Sequence, residues 1–492
     1  MPAILAIDQS TSATKAILFD ETGRILDQAA RTHRQIYPQP GWVEHDAEEI
    51  WQNVLAAVRE LAGRNREILS QLAGLSLTNQ RETVVVFDRQ TGQPLHPAIV
   101  WQCRRSDELC SQLRAQGLDE RVRQKTGLKM DTYFSASKLK WLIAARPDLA
   151  ARLESGEAVI GTVDAYLIHR LTKGAVFATD FTNASRTLLF NVATLAWDHD
   201  LCGWFEVPVK SLPEVRESAS QFGMTNIEGI LPAPVRIVGV MGDSQASLFA
   251  QKCYAPGMIK ATLGTGTSVL LNIGDQLPSP AQGTVTALAW VWRGQPTYAL
   301  EGIINFSAAT LEWLKSQLGL IQNISEIEAL ATSVPDNGGV YFVPAFAGLS
   351  APYWSPEARA AIVGMTAHTR REHIIRAALE SIAYQIRDVL DMMRQVAGIP
   401  LKTLRADGGP TRNDFLMQFI ADIAGVDIEV SEVAEASAWG AALNGWLGLG
   451  RYQSLDELAA TTHTGKTFRP AMKPELVEKN YTGWQAAVKR VL

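Results

Sequence analysis

Two short hairpins, half a chain apart, constrain this sequence more than any other feature. The first, Leu5 to Asp20 (LAIDQSTSATKAILFD), reads as strand, tight turn, strand. Leu5 to Ile7 and Ala16 to Phe19 are its apolar runs. Ser10, Thr11, Ser12 and Thr14 crowd the turn, followed by Lys15. The second, Met258 to Asp275 (MIKATLGTGTSVLLNIGD), repeats the pattern, with Gly264-Thr265-Gly266-Thr267 in place of the first turn. Turns of small residues leave backbone N–H groups free to face an anion. An Asp at the end of a buried strand, here Asp8, can hold a metal ion, and Lys15 adds a positive charge. A nucleotide phosphate with magnesium suits such a cradle. Two cradles imply a duplicated domain with the nucleotide between the copies.

The length agrees. A chain of 492 residues is too long for one core and suits two large domains. The boundary is expected just before the second cradle, giving segments 1–248 and 249–492. A net charge of −5 argues against a nucleic-acid partner. Cys103, Cys110, Cys202 and Cys253 lack zinc-type spacing and read as reduced thiols of a cytoplasmic protein. Asp8 interrupts the first apolar run, so no secretory leader is read. No run approaches the roughly 20 apolar residues a bilayer span needs, so no membrane partner is expected.

Between the cradles, strand and helix patterns alternate, as in an α/β fold. Arg24 to Ile36 predicts a third strand. Asp46 and Glu49 form a capping-box pattern ahead of a helix whose stripe is Ile50, Trp51, Val54, Leu55, Val58, Leu61 and Ala62, with Gly63 as its end. Leu72 to Leu77 and Val84 to Asp88 predict strands. Ile99 to Arg105 reads as a strand and Leu201 to Phe222 as loop. Val235 to Val240 predicts a strand ending at Gly242-Asp243-Ser244. Glu301 to Leu318 reads as mostly helix and His373 to Val396 as a long helix stopped by Gly398. The turn Asp407-Gly408-Gly409 precedes a helix from Asn413. Common nucleotide motifs are absent. Ala460 stands where a P-loop ending at Gly465-Lys466-Thr467 requires Gly. Gly264-Thr265-Gly266 and Gly448-Leu449-Gly450 both lack the third Gly of a dinucleotide fingerprint.

Several long runs carry a family resemblance: IYPQPGWVEHD (Ile36 to Asp46), TNQRET (Thr78 to Thr83), IVWQCRR (Ile99 to Arg105), TDFTNASRTLLFN (Thr179 to Asn191), YALEG (Tyr298 to Gly302) and IIRAALESIAYQIRDVL (Ile374 to Leu390). With Tyr133 to Trp141 and Ala361 to Ala383, which match the two family signatures, they resemble the FGGY carbohydrate kinases over essentially the whole chain, closest to the glycerol kinase branch. The resemblance implies two ribonuclease-H-like domains of the actin and sugar-kinase type, with a deep cleft between them that closes in turnover. It implies ATP and Mg2+ in the cleft, a small polyol or ketose as substrate, and assembly as a homodimer or homotetramer.

It also assigns residues. Asp243, after an apolar strand and a Gly, is the expected catalytic base for the acceptor hydroxyl. Asp8 is assigned to magnesium. Thr11, Ser12, Lys15, Gly264, Thr265 and Gly266 are assigned to the phosphates, and Gly409 and Asn413 to adenosine. Arg81, Glu82, Tyr133 and Asp243 match the family's hydroxyl-binding set. Arg81 donates, Glu82 accepts and Tyr133 does either, as a vicinal diol requires. Trp101 walls the carbon chain. Ser244 replaces a substrate-contacting Gln of glycerol kinases, and Ser268 replaces a Phe packed on the glycerol carbons. Both changes remove bulk and leave hydroxyls. The expected acceptor is therefore longer or branched (a tetritol, a pentitol, or a linear or branched pentulose), with glycerol as the alternative. Ala308 and Glu312 replace a Gly and a Gln near the nucleotide. Readings of another class are an actin-like ATPase, which has no use for TNQRET with IVWQCRR, and an inactive sugar sensor, against which Asp8 and Asp243 count.

Overall fold

The computed structural model describes residues 2–279, 284–433, 435–461 and 465–492. Two mixed sheets dominate it, one on each side of residue 250. The first contains β1 (Ala3–Gln9), β2 (Ala13–Asp20), β3 (Ile25–Thr32), β4 (Leu72–Asn79), β5 (Gln221–Thr225) and β6 (Val235–Gly242), in the order β5-β6-β4-β1-β2-β3. The second contains β7 (Ile259–Leu263), β8 (Thr267–Gly274), β9 (Val285–Trp292), β10 (Gln295–Ile304), β11 (Thr403–Asp407), β12 (Asp427–Val430) and β13 (Thr467–Phe468), in the order β9-β10-β8-β7-β11-β12-β13.

The repeat seen in the sequence is a repeat of topology. β1 pairs antiparallel with β2 and parallel with β4; β7 pairs antiparallel with β8 and parallel with β11. The next strands agree as well: β3 and β10 add antiparallel on one side, β6 and β12 parallel on the other. β1 is buried along its whole length, which is why it reads as a continuous apolar run up to Asp8.

The helices are α1 (Ala47–Arg64), α2 (Asp243–Ala250), α3 (Ala308–Ser316), α4 (Arg371–Ala397), α5 (Asp414–Ala424) and α6 (Ala436–Gly448), with shorter ones between. Asp46 caps α1 by accepting from the N–H groups of Glu48 and Glu49. The reciprocal arm of the capping box is missing, because the Glu49 carboxylate is taken by Arg34 at 3.0 Å. α1 also runs one residue past Gly63. α4 is capped by Gly398 in the left-handed region, φ 63°. Its apolar face packs on the second sheet.

Three local expectations are corrected. Glu301 to Ile304 is strand, the end of β10, and helix begins only at Ala308. Ile303 and Ile304 are β-branched and pair with Ser268 and Thr267, so sheet pairing outweighs the helical pattern. Leu201 to Phe222 is not plain loop: it holds a helix (His199–Trp204), a 3-10 turn and the strand Glu214–Arg216. The strand at Ile99 spans only Ala98–Ile99, and the following residues turn toward the site.

The two halves are sewn together by α2 and α6. α6 comes from the second half yet lies on the first sheet: Ala438, Trp439, Ala442 and Trp446 share a core with Ile4, Ala6, Ile17 and Phe19. The approach is very close. A Cβ on Gly440 would sit 1.7 Å from the Ala246 carbonyl oxygen, and one on Gly239 2.3 Å from that of Ala441. Only glycine allows backbones this near. Among the described residues no helix is long and apolar enough to cross a membrane, and all four cysteines are free and buried.

Candidate active site

Both cradles are tight turns between antiparallel strands, β1–β2 and β7–β8. The first is closed by Ser10, whose N–H and Oγ both donate to the Ala13 carbonyl at 2.9 and 3.0 Å. The second is closed by Gly264 N–H on the Gly266 carbonyl, 2.8 Å. Gly266 is required there, since a Cβ would lie 2.4 Å from the Ile304 carbonyl oxygen. The Gly264 and Thr265 carbonyls accept from Ser307, Ala308 and Ala309 at 2.9–3.1 Å, which locks the turn to the start of α3 and leaves the Thr265 side chain exposed.

The turn after β11 crosses this hairpin. Gly408, at φ 102°, could not carry a Cβ, which would fall 1.9 Å from the Leu263 carbonyl oxygen. Gly409 therefore sits beside the second cradle, with nothing within 4 Å of its Cβ position. Asn413 caps α5 through Oδ1, which accepts from Leu416 N–H at 2.8 Å. These residues leave a bare backbone edge where a flat ring can approach.

In the first cradle, Asp8 and Lys15 are cross-strand partners. Lys15 Nζ is held by both carboxylate oxygens of Glu435, at 2.7 and 2.6 Å, across the two halves. Burial pushes the Asp8 carboxyl up to about 7; Lys15 opposes this, while Asp243 and Glu435 add to it. A divalent cation would relieve that cost, so the donor set fits magnesium. Among the described residues no group of three ligand side chains is assembled, and magnesium bound through one or two carboxylates, waters and phosphates needs none. Thr11 Oγ1 accepts from Trp101 Nε1 at 3.0 Å, tying the first hairpin turn to the segment that follows Ile99. Ser12 is exposed at the tip.

Glu82 follows β4 in the left-handed region, φ 63°, and Asp243 opens α2 directly after β6. The two parallel strands thus deliver both groups from their carboxyl ends, where open α/β sheets bind ligands. Arg81 is buried among acids: Nη2 donates to Glu301 at 2.9 Å, Nη1 to Gln245 at 3.2 Å, and Nε lies 3.2 Å from Asp243 Oδ1. Arg186 Nε donates to Glu82 at 2.6 Å, and its Nη1 is 2.7 Å from the other oxygen of Glu301. The Arg81 Nε and Arg186 Nη1 contacts have ion-pair distances without an aligned hydrogen bond, so those N–H groups keep donor capacity. Burial works against charge on Glu301, but Arg186 and Arg81 overcome it and hold the carboxyl down to about 2. Burial raises Glu82 instead, against the pull of both guanidiniums. Burial, then the Glu82 charge, drives Tyr133 up, so its hydroxyl stays protonated and can donate. The Trp101 and Tyr133 rings lie 5.2 Å apart.

The structure thus brings Arg81, Glu82, Trp101, Tyr133 and Asp243 together, with Asp8 and Lys15 beside them. Ser244 follows Asp243 and is half-buried. The Ser268 hydroxyl on β8 is buried and has no hydrogen-bond partner. Sequence reasoning missed Arg186, Gln245, Glu301 and Glu435. Arg186 and Glu301 lie inside runs already singled out, TDFTNASRTLLFN and YALEG, but nothing local shows that they meet.

Duplicated mixed sheets, paired small-residue hairpin turns and a buried cluster of charged groups at strand ends fit a two-lobed carbohydrate kinase. Comparison with known proteins agrees. The FGGY family of carbohydrate kinases, N-terminal domain, matches residues 3–250, and its C-terminal domain matches residues 259–448. The glycerol kinase of Desulfitobacterium hafniense is 46% identical over 489 residues, covering 99% of each chain. The Plasmodium falciparum glycerol kinase solved with ADP superposes with TM-score 0.96 at 38% identity, over 100% of this chain and 98% of that one. A gluconate kinase from Lactobacillus acidophilus shares the fold, with TM-score 0.89 at 20% identity, over 99% and 97%. This chain belongs to the FGGY family of carbohydrate kinases. It is an ATP-dependent phosphotransferase with an alcohol group as acceptor.

Proposed function

We propose that the acceptor is glycerol and that the product is its phosphate monoester. The constellation of Arg81, Glu82 and Asp243, backed by Tyr133 and Trp101, carries this reading. Arg81 and Glu82 offer donor and acceptor to neighbouring hydroxyls, and Trp101 covers the carbons. Asp243 takes the proton as the acceptor oxygen bonds to the γ-phosphorus of ATP and the bond to ADP breaks. Such a base contributes about 10²–10⁴-fold. The cradles at Thr11–Ser12 and Gly264–Gly266 orient the phosphates, Lys15 adds charge, and Gly409 with Asn413 receives adenosine. Asp8 would hold magnesium, which would supply charge neutralisation at the phosphates. Segment 1–248 carries the acceptor and segment 249–492 the nucleotide, in a cytoplasmic enzyme.

A second reading rests on Ser244 and Ser268. The unpartnered Ser268 hydroxyl is a buried polar group without compensation, and an acceptor with one more hydroxyl would satisfy it. That favours a tetritol, a pentitol or a linear or branched pentulose. ADP release with ATP and magnesium, measured across glycerol, tetritols, pentitols and pentuloses, decides between the two. The highest kcat/KM for glycerol upholds the first reading, and the highest for a longer or branched acceptor replaces it with the second. No turnover on the whole panel refutes both.

A further inference from the structure

A cavity of about 330 Å³ lies against the residues that follow the two helices α2 and α6, with Trp439 from the first turn of α6 also on its wall. α2 begins at Asp243 and ends at Ala250; α6 begins beside Glu435 and ends at Gly448. The residues just beyond both ends, Gln251 and Lys252 after α2 and Arg451 and Tyr452 after α6, line the cavity. Its other walls come from both halves. Glu21 and Thr22 belong to the β2–β3 turn, and Arg405, Glu429 and Ser431 to β11 and the end of β12. The volume is at the lower end of the range for small-molecule sites.

Its charges are unbalanced. Glu429 pairs with Arg405 at 2.9 Å and Glu21 with Arg451 at 2.9 Å. Both acids are thereby used. Lys252 is 8% exposed, and among the described residues no carboxylate lies within ion-pair distance of it. Its ammonium donates to the neutral Thr461 hydroxyl at 2.7 Å. Lys252 also sits in the left-handed region, φ 51°, a conformation that costs free energy in a residue with a side chain. A buried cation without a counter-charge is expensive unless a ligand supplies one. Burial, with Arg405 adding to it, lowers the Lys252 ammonium to about 8, which an adjacent anion would reverse.

We propose that this cavity is a binding site for a small organic anion, a phosphate monoester or a carboxylate, held by Lys252 with Arg405. Its walls belong to both halves, so an occupant bears on their relative position and, through α2 and α6, on Asp243 and Glu435. Such differential contact is what couples a remote site to turnover.

The test is calorimetric titration of the whole enzyme with inorganic phosphate and malonate, with saturating ADP and magnesium in the catalytic cleft. Wild type, Lys252→Met and Lys252→Arg are compared. One charge-assisted hydrogen bond supports an expected loss of about 10–100-fold in affinity for Lys252→Met, with Lys252→Arg within a few-fold of wild type. The phosphate and malonate arms distinguish the two anion classes. The same anion should move the acceptor KM of wild type by more than twofold and leave that of Lys252→Met unmoved. Should Lys252→Met fold poorly, the anion-dependent rise in melting temperature of wild type against Lys252→Gln serves instead, an equal rise in both overturning the site. No binding to wild type, or equal binding to Lys252→Met, overturns the site. Binding with unchanged kinetics overturns the coupling.

Discussion

Replacing Asp8 by Asn should stabilise the ligand-free protein while removing its activity. Burial lifts the Asp8 carboxyl from 3.8 to about 7. A carboxyl raised on folding binds its proton more tightly in the folded chain than in the unfolded one. Stability therefore falls as pH rises through the window from 3.8 to about 7, and the loss is complete above it. At roughly 1.4 kcal/mol per pH unit, the ionised group costs about 4 kcal/mol at pH 8.5 and about 2 kcal/mol at pH 5. Asn cannot ionise, so Asp8→Asn avoids this cost. The gain should be smaller than the full figure, because the buried amide needs partners of its own. Urea midpoints of wild type and Asp8→Asn, measured at pH 5 and pH 8.5 without nucleotide, read the difference directly. The advantage of Asp8→Asn should widen by roughly 2 kcal/mol between the two. A gap that is absent at pH 8.5, or equal at both, would refute the assignment of Asp8 as a strained buried carboxylate. Magnesium with ATP should then narrow the gap, by stabilising wild type alone.

Three further outcomes follow from the site and the seam between the halves. Asp243→Asn should lower kcat by about 10²–10⁴-fold with acceptor affinity within a few-fold of wild type; a variant that loses binding and keeps kcat would remove Asp243 from the base role. Ser268→Phe fills the space on β8 and removes the unpartnered hydroxyl. It should shift the ratio of kcat/KM for glycerol over a pentitol upward by about 10-fold or more, and an unchanged ratio would show that Ser268 does not wall the acceptor. Gly440→Ala places a methyl 1.7 Å from the Ala246 carbonyl oxygen, and should destabilise the protein by about 3 kcal/mol or more, seen as a fall in melting temperature. A fall worth less than about 1 kcal/mol would mean that α6 slides away at little cost.

What could be read from the chain depends on how far apart the interacting residues lie. Both cradles, the cap at Asp46 and the length of α4 are local patterns of spacing and turn chemistry, and they appear in the structure where the residues place them. The end of β10 was misread because YALEGII carries its signal through partners on β8 and β9, not through its own periodicity. The site was half legible. Arg81, Glu82 and Asp243 each follow a buried strand, which marks them. Arg186 reaches Glu82 across 104 residues, Arg81 reaches Glu301 across 220, and Lys15 reaches Glu435 across 420. Pairings of that range are set by the fold, and a charged residue in a loop or strand carries no local sign of them.

The placement of α6 has a consequence for how the chain matures on the ribosome. Ile4, Ala6, Ile17 and Phe19 are made first, yet the face they form is covered by Trp439, Ala442 and Trp446, nearly the last part of the chain to be made. At about 5–20 residues per second, the first sheet stands finished but bare on that side for some tens of seconds. During that interval its greasy flank is open to neighbouring nascent chains.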